Sequence, residues 1–229
     1  MIFIKNYPEH NVGLPACVLN GQIQEREEWN MKAKVYFTKE ITPEKVVEMY
    51  QALGVELPGK VAVKVHSGEK GNQNFLRPEF WRPMVEKVHG TIVECNTAYG
   101  DASGGVRDHT ESHRKLLEEH GWTKYFDVDL MDAEGPDVIW PIPNGKILKE
   151  NHLGKDIMNY DSMLVLAHFK GHPMGGYGGA LKQLAIGCAS RAGKALIHSG
   201  GKTDDRYETW DQHASKTAFP EAMADAASS

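Results

Sequence analysis

The stretch from Met163 to Ile186 restricts the fold more than any other part of this chain. Met163-Leu-Val-Leu-Ala167 is an unbroken apolar run, the pattern of a strand buried on both faces. It passes at once into His168-Phe-Lys-Gly-His-Pro-Met-Gly-Gly-Tyr-Gly-Gly-Ala-Leu-Lys182, and Ala180-Leu-Lys-Gln-Leu-Ala-Ile186 reads as the opening of a helix. A buried strand that ends in a glycine-rich turn and a helix belongs to a parallel α/β sheet. In such sheets the ligand crevice lies at the carboxyl edge. Gly175, Gly176, Gly178 and Gly179 let the backbone approach a ligand closely and expose N–H groups. The helix start adds a partial positive field.

The same strand–helix alternation extends through most of the chain. Strands are expected at 33–37, 60–65, 91–95, 126–130, 138–140 and 162–167, with a further one at Leu196-Ile-His198. Helices are expected at 42–53, 77–88 and 108–120. The first has Thr42 as N-cap, Pro43 at its first position and Gly54 as its stop. Asp108-His-Thr-Glu111 has the spacing of a capping box. The fold class is α/β: a largely parallel sheet with flanking helices, in a Rossmann-like three-layer arrangement. Residues 1–30 lack this periodicity and are expected to be an atypical extension. The tract Gln24 to Asn30 is what a purine-rich ribosome-binding sequence would encode, which points to Met31 as the natural start. Phe219 to Ala227 opens a helix that is marginal without a partner, so residues 31–229 are expected to be a domain truncated at its C-terminus.

The formal charge of −5 and pI near 6.1 lack the electrostatic footprint of a nucleic-acid binder. No apolar run approaches the roughly 20 residues that span a bilayer, and the N-terminus lacks the order of a signal peptide. No membrane partner and a cytoplasmic location are therefore expected. Cys17, Cys95 and Cys188 are far apart in sequence and form no CxxC or ferredoxin-type run.

Three strand ends carry polar clusters. The first is Lys64-Val-His66-Ser-Gly-Glu-Lys-Gly-Asn72-Gln-Asn74, in which alternation puts Lys64 and His66 on one face. The second is Glu94-Cys-Asn-Thr-Ala-Tyr-Gly-Asp101, continuing to Arg107, a residue suited to clamping a carboxylate or phosphate. His109 and His113 follow at a spacing of four, with exposed positions on a helix as the expected reading. The third cluster joins His168, Lys170, His172 and Lys182 to Lys194, His198 and Lys202.

Val61-Ala-Val-Lys-Val-His-Ser-Gly-Glu-Lys-Gly-Asn-Gln-Asn74, Ile92-Val-Glu-Cys-Asn-Thr-Ala-Tyr99 and the segment His168–Lys182 closely resemble the bacterial domain of unknown function 362 family. The resemblance runs from about Met31 to the end. It implies an iron–sulfur protein, because members carry that label and many have a cysteine-rich segment or ferredoxin-type module further along. This chain has no such segment, so a cluster would rest on the family label alone. His172-x-x-Gly-Gly-Tyr-Gly-Gly-x-x-Lys182 is also similar to the glycine-rich segment of the nickel-pincer lactate racemase family. That resemblance implies an acid/base role for His172, covalent attachment of the pincer cofactor at Lys182, and nickel ligation by His198. Arg107 is the well-placed match in the preceding region. No histidine stands near Leu130-Met-Asp132, where the racemases' second acid/base histidine aligns.

The expected function is a metal- or cofactor-dependent enzyme acting on a small anionic substrate. His172 and Lys182 carry the chemistry. Lys64, His66, Asn72, Asn74, Arg107, Gly175, Gly176, Gly178, Gly179 and Lys182 hold substrate or cofactor, and His168 and His198 ligate the metal. Imidazole ligands favour nickel, zinc or iron over calcium or magnesium. The alternatives are a non-catalytic iron–sulfur accessory protein and a phosphate-binding module.

Overall fold

The computed structural model describes residues 2–6, 35–100 and 105–229. Its central sheet contains β1 (Ile2–Asn6), β2 (Val61–Lys64), β3 (Thr91–Glu94), β4 (Val128–Leu130) and β7 (Ser162–Leu166), in the order β1-β7-β2-β3-β4. The four strands β7, β2, β3 and β4 are parallel, with Val61 opposite Ser162, Ala62 opposite Thr91 and Ile92 opposite Val128. β1 runs antiparallel along the free edge of β7, with Ile2 opposite Leu166. From β2 the chain proceeds outward to β3 and β4, whereas β7 returns on the other side of β2. The order therefore reverses between β2 and β7.

Side-chain alternation divides the sheet into two faces. Val61, Val63, Val65, Ile92, Leu164 and Leu166 pack against α1 (Pro43–Leu53), α2 (Pro78–Lys87) and the end of α3 (Thr110–Glu119), with Trp122 beneath. Ala62, Val93, Cys95, Met163, Val165 and Ala167 pack on the opposite face against α4 (Ala180–Cys188), Leu153, Ile157 and Tyr160. Helix–sheet–helix layering follows from this period of two. A third apolar cluster joins α4 to α5 (Arg191–Ser199) and α6 (Ala218–Ser228) through Ala185, Ile197, Phe219 and Met223. The C-terminal helix thus has the partner that its length requires.

The caps of α1 are those its sequence specifies. Thr42 accepts the Lys45 N–H, and Gly54 closes the helix at φ 64°. Several other elements differ from expectation. Leu196-Ile-His198 is not a strand but the last turn of α5. Ser190 accepts the Gly193 N–H and Gly200 terminates at φ 68°, so two helix caps override a three-residue apolar run. Residues 35–37 form no strand, and Val35 and Phe37 are exposed among the described residues. The rest of that expected strand, Cys17 and most of the expected extension lie outside the described residues. β5 (Val138–Pro141) does not join the central sheet but pairs with β6 (Glu150–Leu153) as a separate ribbon. The glycine-rich segment folds into a hairpin of β8 (Lys170–His172) and β9 (Gly176–Gly178), where a turn was expected. Asp108 does not cap α3. His109 holds the N-cap position and makes no side-chain cap bond. His113 is fully buried, not exposed.

Candidate functional site

A cavity of about 210 Å³ opens where β2, β3 and β7 end, at the reversal of strand order. This is the position at which open α/β sheets bind ligands. Lys64, His66 and Glu94 come to it from β2 and β3, and His168 from the end of β7. The hairpin contributes Lys170, His172 and Gly178, α4 contributes Lys182, Gln183 and Gly187, and α5 contributes Lys194 and His198. His172, Lys182 and His198 therefore face a single space, although they stand on three different elements.

Glu94 organises the floor. Lys64 Nζ donates to its carboxylate at 2.5 Å, and the Ser67 N–H and Oγ–H both donate at 2.9 Å. Arg107 Nη1 lies 3.6 Å from the same carboxylate and Nη2 lies 3.0 Å from Glu69. Burial alone would push the Glu94 carboxyl up. Lys64 and Arg107 outweigh that and hold it well below the usual carboxylate range. Lys64 is 1% exposed and also donates to the Val65 carbonyl at 2.6 Å and to Gln183 at 3.1 Å. Its ammonium fits beneath α4 only because residue 187 is glycine. A Cβ there would lie 2.9 Å from Lys64 Cε and 3.2 Å from Nζ.

Five cationic side chains line the cavity (Lys64, Arg107, Lys170, Lys182 and Lys194) against one carboxylate, Glu94. Lys64 and Arg107 are paired as described, and Lys194 donates to the Ala189 carbonyl. Among the described residues, Lys170 and Lys182 have no carboxylate partner. Their side chains flank Gly178, whose Cβ position lies 3.7 Å from Lys170 Cγ and 3.8 Å from Lys182 Cδ. Burial lowers Lys182 to about 8, and the charges of Lys170, Lys194, Arg107 and Lys64 add to the effect. The space carries excess positive charge, which the first turn of α4 reinforces.

Two imidazoles border this field. His172 Nδ1 accepts the Gly175 N–H at 3.1 Å, which leaves the proton of the neutral ring on Nε2. His198 Nδ1 donates to the Lys194 carbonyl at 2.6 Å, which leaves a lone pair on Nε2. Burial lowers both to about 4. Lys182 is the next cause for His172, and for His198 the carbonyl partially opposes the shift. Both rings pack on Phe219, with centroids 6.2 Å away for His172 and 5.1 Å for His198.

Not every residue expected at the site reaches it. Lys64, His66, Arg107, His168, His172, Gly178, Gly179, Lys182 and His198 line the cavity, but Asn72, Asn74, Gly175 and Gly176 do not. Asn72 Oδ1 accepts the Asn74 N–H at 2.7 Å in a local turn. Gly175 positions His172 through its N–H, and Gly176 supplies the φ of 71° that the hairpin turn needs. Glu94 and Lys194, members of the second and third polar clusters, also line the cavity, and Gln183 joins them from α4 without a signal in the sequence. Glu94 carried a usable signal, as a carboxylate closing an apolar strand. Lys194 stands four residues before His198 on α5, so one helix turn brings both to the cavity.

Residues 61–229 match the profile of a family described as a domain of unknown function, DUF362. The chain belongs to the DUF362 family. No curated protein and no solved structure matches it. The match covers every cavity residue of this DUF362 chain, from Lys64 to His198.

The donor set does not fit a metal held by side chains alone. Among the described residues no three His, Cys, Asp or Glu groups are placed to hold an ion. His168 and His198 line the cavity with His66, His172, Glu94 and Cys95, but no three of these converge on one point. His109 stays exposed, while His113 Nδ1 is bonded to Asn96 Oδ1 at 3.1 Å. Cys95 and Cys188 are buried free thiols, and burial pushes Cys95 up, away from the thiolate that a cluster requires. No helix among the described residues is long and apolar enough to cross a membrane.

Proposed function

We propose that this DUF362 protein is an enzyme that binds a small carboxylate or phosphate anion at the carboxyl edge of its sheet and moves a proton on it. The observation that carries this reading is Lys182. It is an ammonium without a carboxylate partner among the described residues, in a cavity of five cations and one carboxylate, beside two neutral imidazoles. An anion relieves the mutual repulsion of Lys182 and Lys170 and gains the field of the α4 first turn.

The imidazoles divide the proton work. His198 Nε2, with a free lone pair, accepts a proton from the substrate, and His172 Nε2–H donates one. A bound anion raises both rings from about 4 toward neutrality, so substrate binding itself tunes the acid/base pair. Lys182 holds the anionic group. Glu94 keeps Lys64 and Arg107 in place and is itself shielded from the ligand. A phosphate-binding role without chemistry would use Lys182 and leave the imidazole pair idle.

The test is thermal protection by inorganic phosphate and by acetate. Both are expected to raise the melting temperature, by about 2–4 °C per kcal/mol of binding energy. Lys182→Met is expected to abolish the rise. Equal protection in the variant would remove Lys182 from the site and end this reading.

A further inference from the structure

A second cavity, of about 540 Å³, adjoins the first, and the two share Ala98, Tyr99, His172 and His198. Its character is different. Pro173, Met174, Tyr207 and Trp210 complete its wall, and Arg206, bonded to Asp108 at 2.9 Å, is its cation. Trp210 stands edge-on to Tyr99 at 6.5 Å and 5.6 Å from the His198 ring. Tyr207 is 73% exposed and Tyr99 38% exposed. Aromatic surface left open to water around a concavity is unfavourable unless something apolar covers it.

We infer that the substrate is an organic anion carrying an aromatic ring, with its anionic group in the inner cavity and its ring against Trp210, Tyr99 and Tyr207. This rests on the anion-binding reading of the inner cavity and extends it to a substrate class. The shared residues give the arrangement its chemical sense. His172 and His198 border both chambers, so the atoms joining the anionic head to the ring lie beside the two groups assigned to proton transfer. Volume agrees. The inner chamber, at about 210 Å³, accommodates an anionic head, whereas the outer one, at about 540 Å³, is within the size range of small-molecule pockets.

The experiment measures affinities for acetate, 3-phenylpropionate, 3-phenylpropanamide and inorganic phosphate by calorimetry on the full chain. Phenylpropionate is expected to bind at least about tenfold more tightly than acetate, and the uncharged amide weakly. Trp210→Ala is expected to erase most of that ratio without changing acetate affinity. Should this variant fail to fold, Tyr207→Ala, at a mostly exposed position, is expected to reduce the ratio. If acetate and phosphate bind but phenylpropionate gains nothing, or keeps its gain in both variants, the aromatic assignment falls and the anion site stands. An amide that binds as tightly as the acid would separate the two chambers and overturn the joint ligand. Failure of every anion to bind would overturn both readings together.

Discussion

His172 and His198 commit the same ring nitrogen, Nδ1, in opposite senses. His172 Nδ1 receives the Gly175 N–H at 3.1 Å, and His198 Nδ1 gives its proton to the Lys194 carbonyl at 2.6 Å. One neutral ring therefore offers a donor at Nε2 and the other an acceptor. Nitrogen-15 NMR on imidazole-labelled protein is expected to find His172 as the Nε2–H tautomer and His198 as the Nδ1–H tautomer at pH 7. Both should titrate near 4 in the absence of anion. Identical tautomers would remove the division of proton work.

Glu94→Gln is expected to destabilise the fold by about 3–5 kcal/mol, because Lys64 and Arg107 would be left as buried cations without their shared carboxylate. Urea denaturation measures this directly. A loss under 1 kcal/mol would mean that the ion network relaxes into water, contrary to its burial.

Lys182→Met is expected to behave in the opposite way. The ammonium is held at about 8 by burial and by Lys170, Lys194, Arg107 and Lys64, so its charge works against folding. Removing it should stabilise the anion-free protein by about 1 kcal/mol, a figure discounted for the partial exposure of the side chain. The same variant loses protection by phosphate. In the wild type, stability from this group should rise as pH climbs from about 8 toward 10.5, because the unfolded chain holds the proton longer. Denaturation of both proteins with and without phosphate tests the pair of effects. A less stable variant would place Lys182 in a structural role.

His66 and His113 set an acid limit. Burial is the main cause in both, and their folded values lie at about 3, against 6.5 for a free imidazole. The unfolded chain therefore takes up protons that the folded one refuses. Their contribution is complete above pH 6.5 and is lost as pH falls toward about 3, at up to about 1.4 kcal/mol per pH unit for each ring. The melting temperature is expected to drop between pH 7 and 5, where ordinary carboxylates remain ionised. A flat profile over that window would show that these rings protonate in the native state.

Asp225 fastens the C-terminal helix. It accepts N–H groups from Lys146, Ile147 and Leu148 at 3.0, 2.6 and 2.9 Å, which ties α6 to the loop before β6. Asp225→Ala leaves three backbone donors without this partner and is expected to cost about 1–3 kcal/mol. Amide hydrogen exchange should show faster exchange at 146–148 than in the wild type. Unchanged exchange would assign those donors elsewhere.

Much of the scaffold was legible because it is written in local patterns. Thr42-Pro43 and Gly54 frame α1, and the apolar runs at 61–65, 91–95 and 162–167 mark the central strands. Their alternation separates Val61 and Val63 from Ala62, and so specifies two covered faces. The errors came where a short apolar window outvoted its flanking caps, as at Leu196–His198 between Ser190 and Gly200. At the site, the histidines and Lys182 stood out by density. Asn72 and Asn74 looked equally suited and turned out to bond each other.

By itself the sequence determined that strands end in polar, glycine-bearing segments, and hence that charge gathers along one edge of a parallel sheet. Periodicity and capping act over a few residues, so they need no knowledge of the rest of the chain. Only the tertiary structure decided which of those charges meet. Glu94 neutralises Lys64 and Arg107 across separate elements, and Lys182 is left without such a partner among the described residues. The ring nitrogens of His172 and His198 are likewise assigned by backbone groups that folding places beside them. Electrostatic energy depends on distance and burial, and neither is a property of position along the chain.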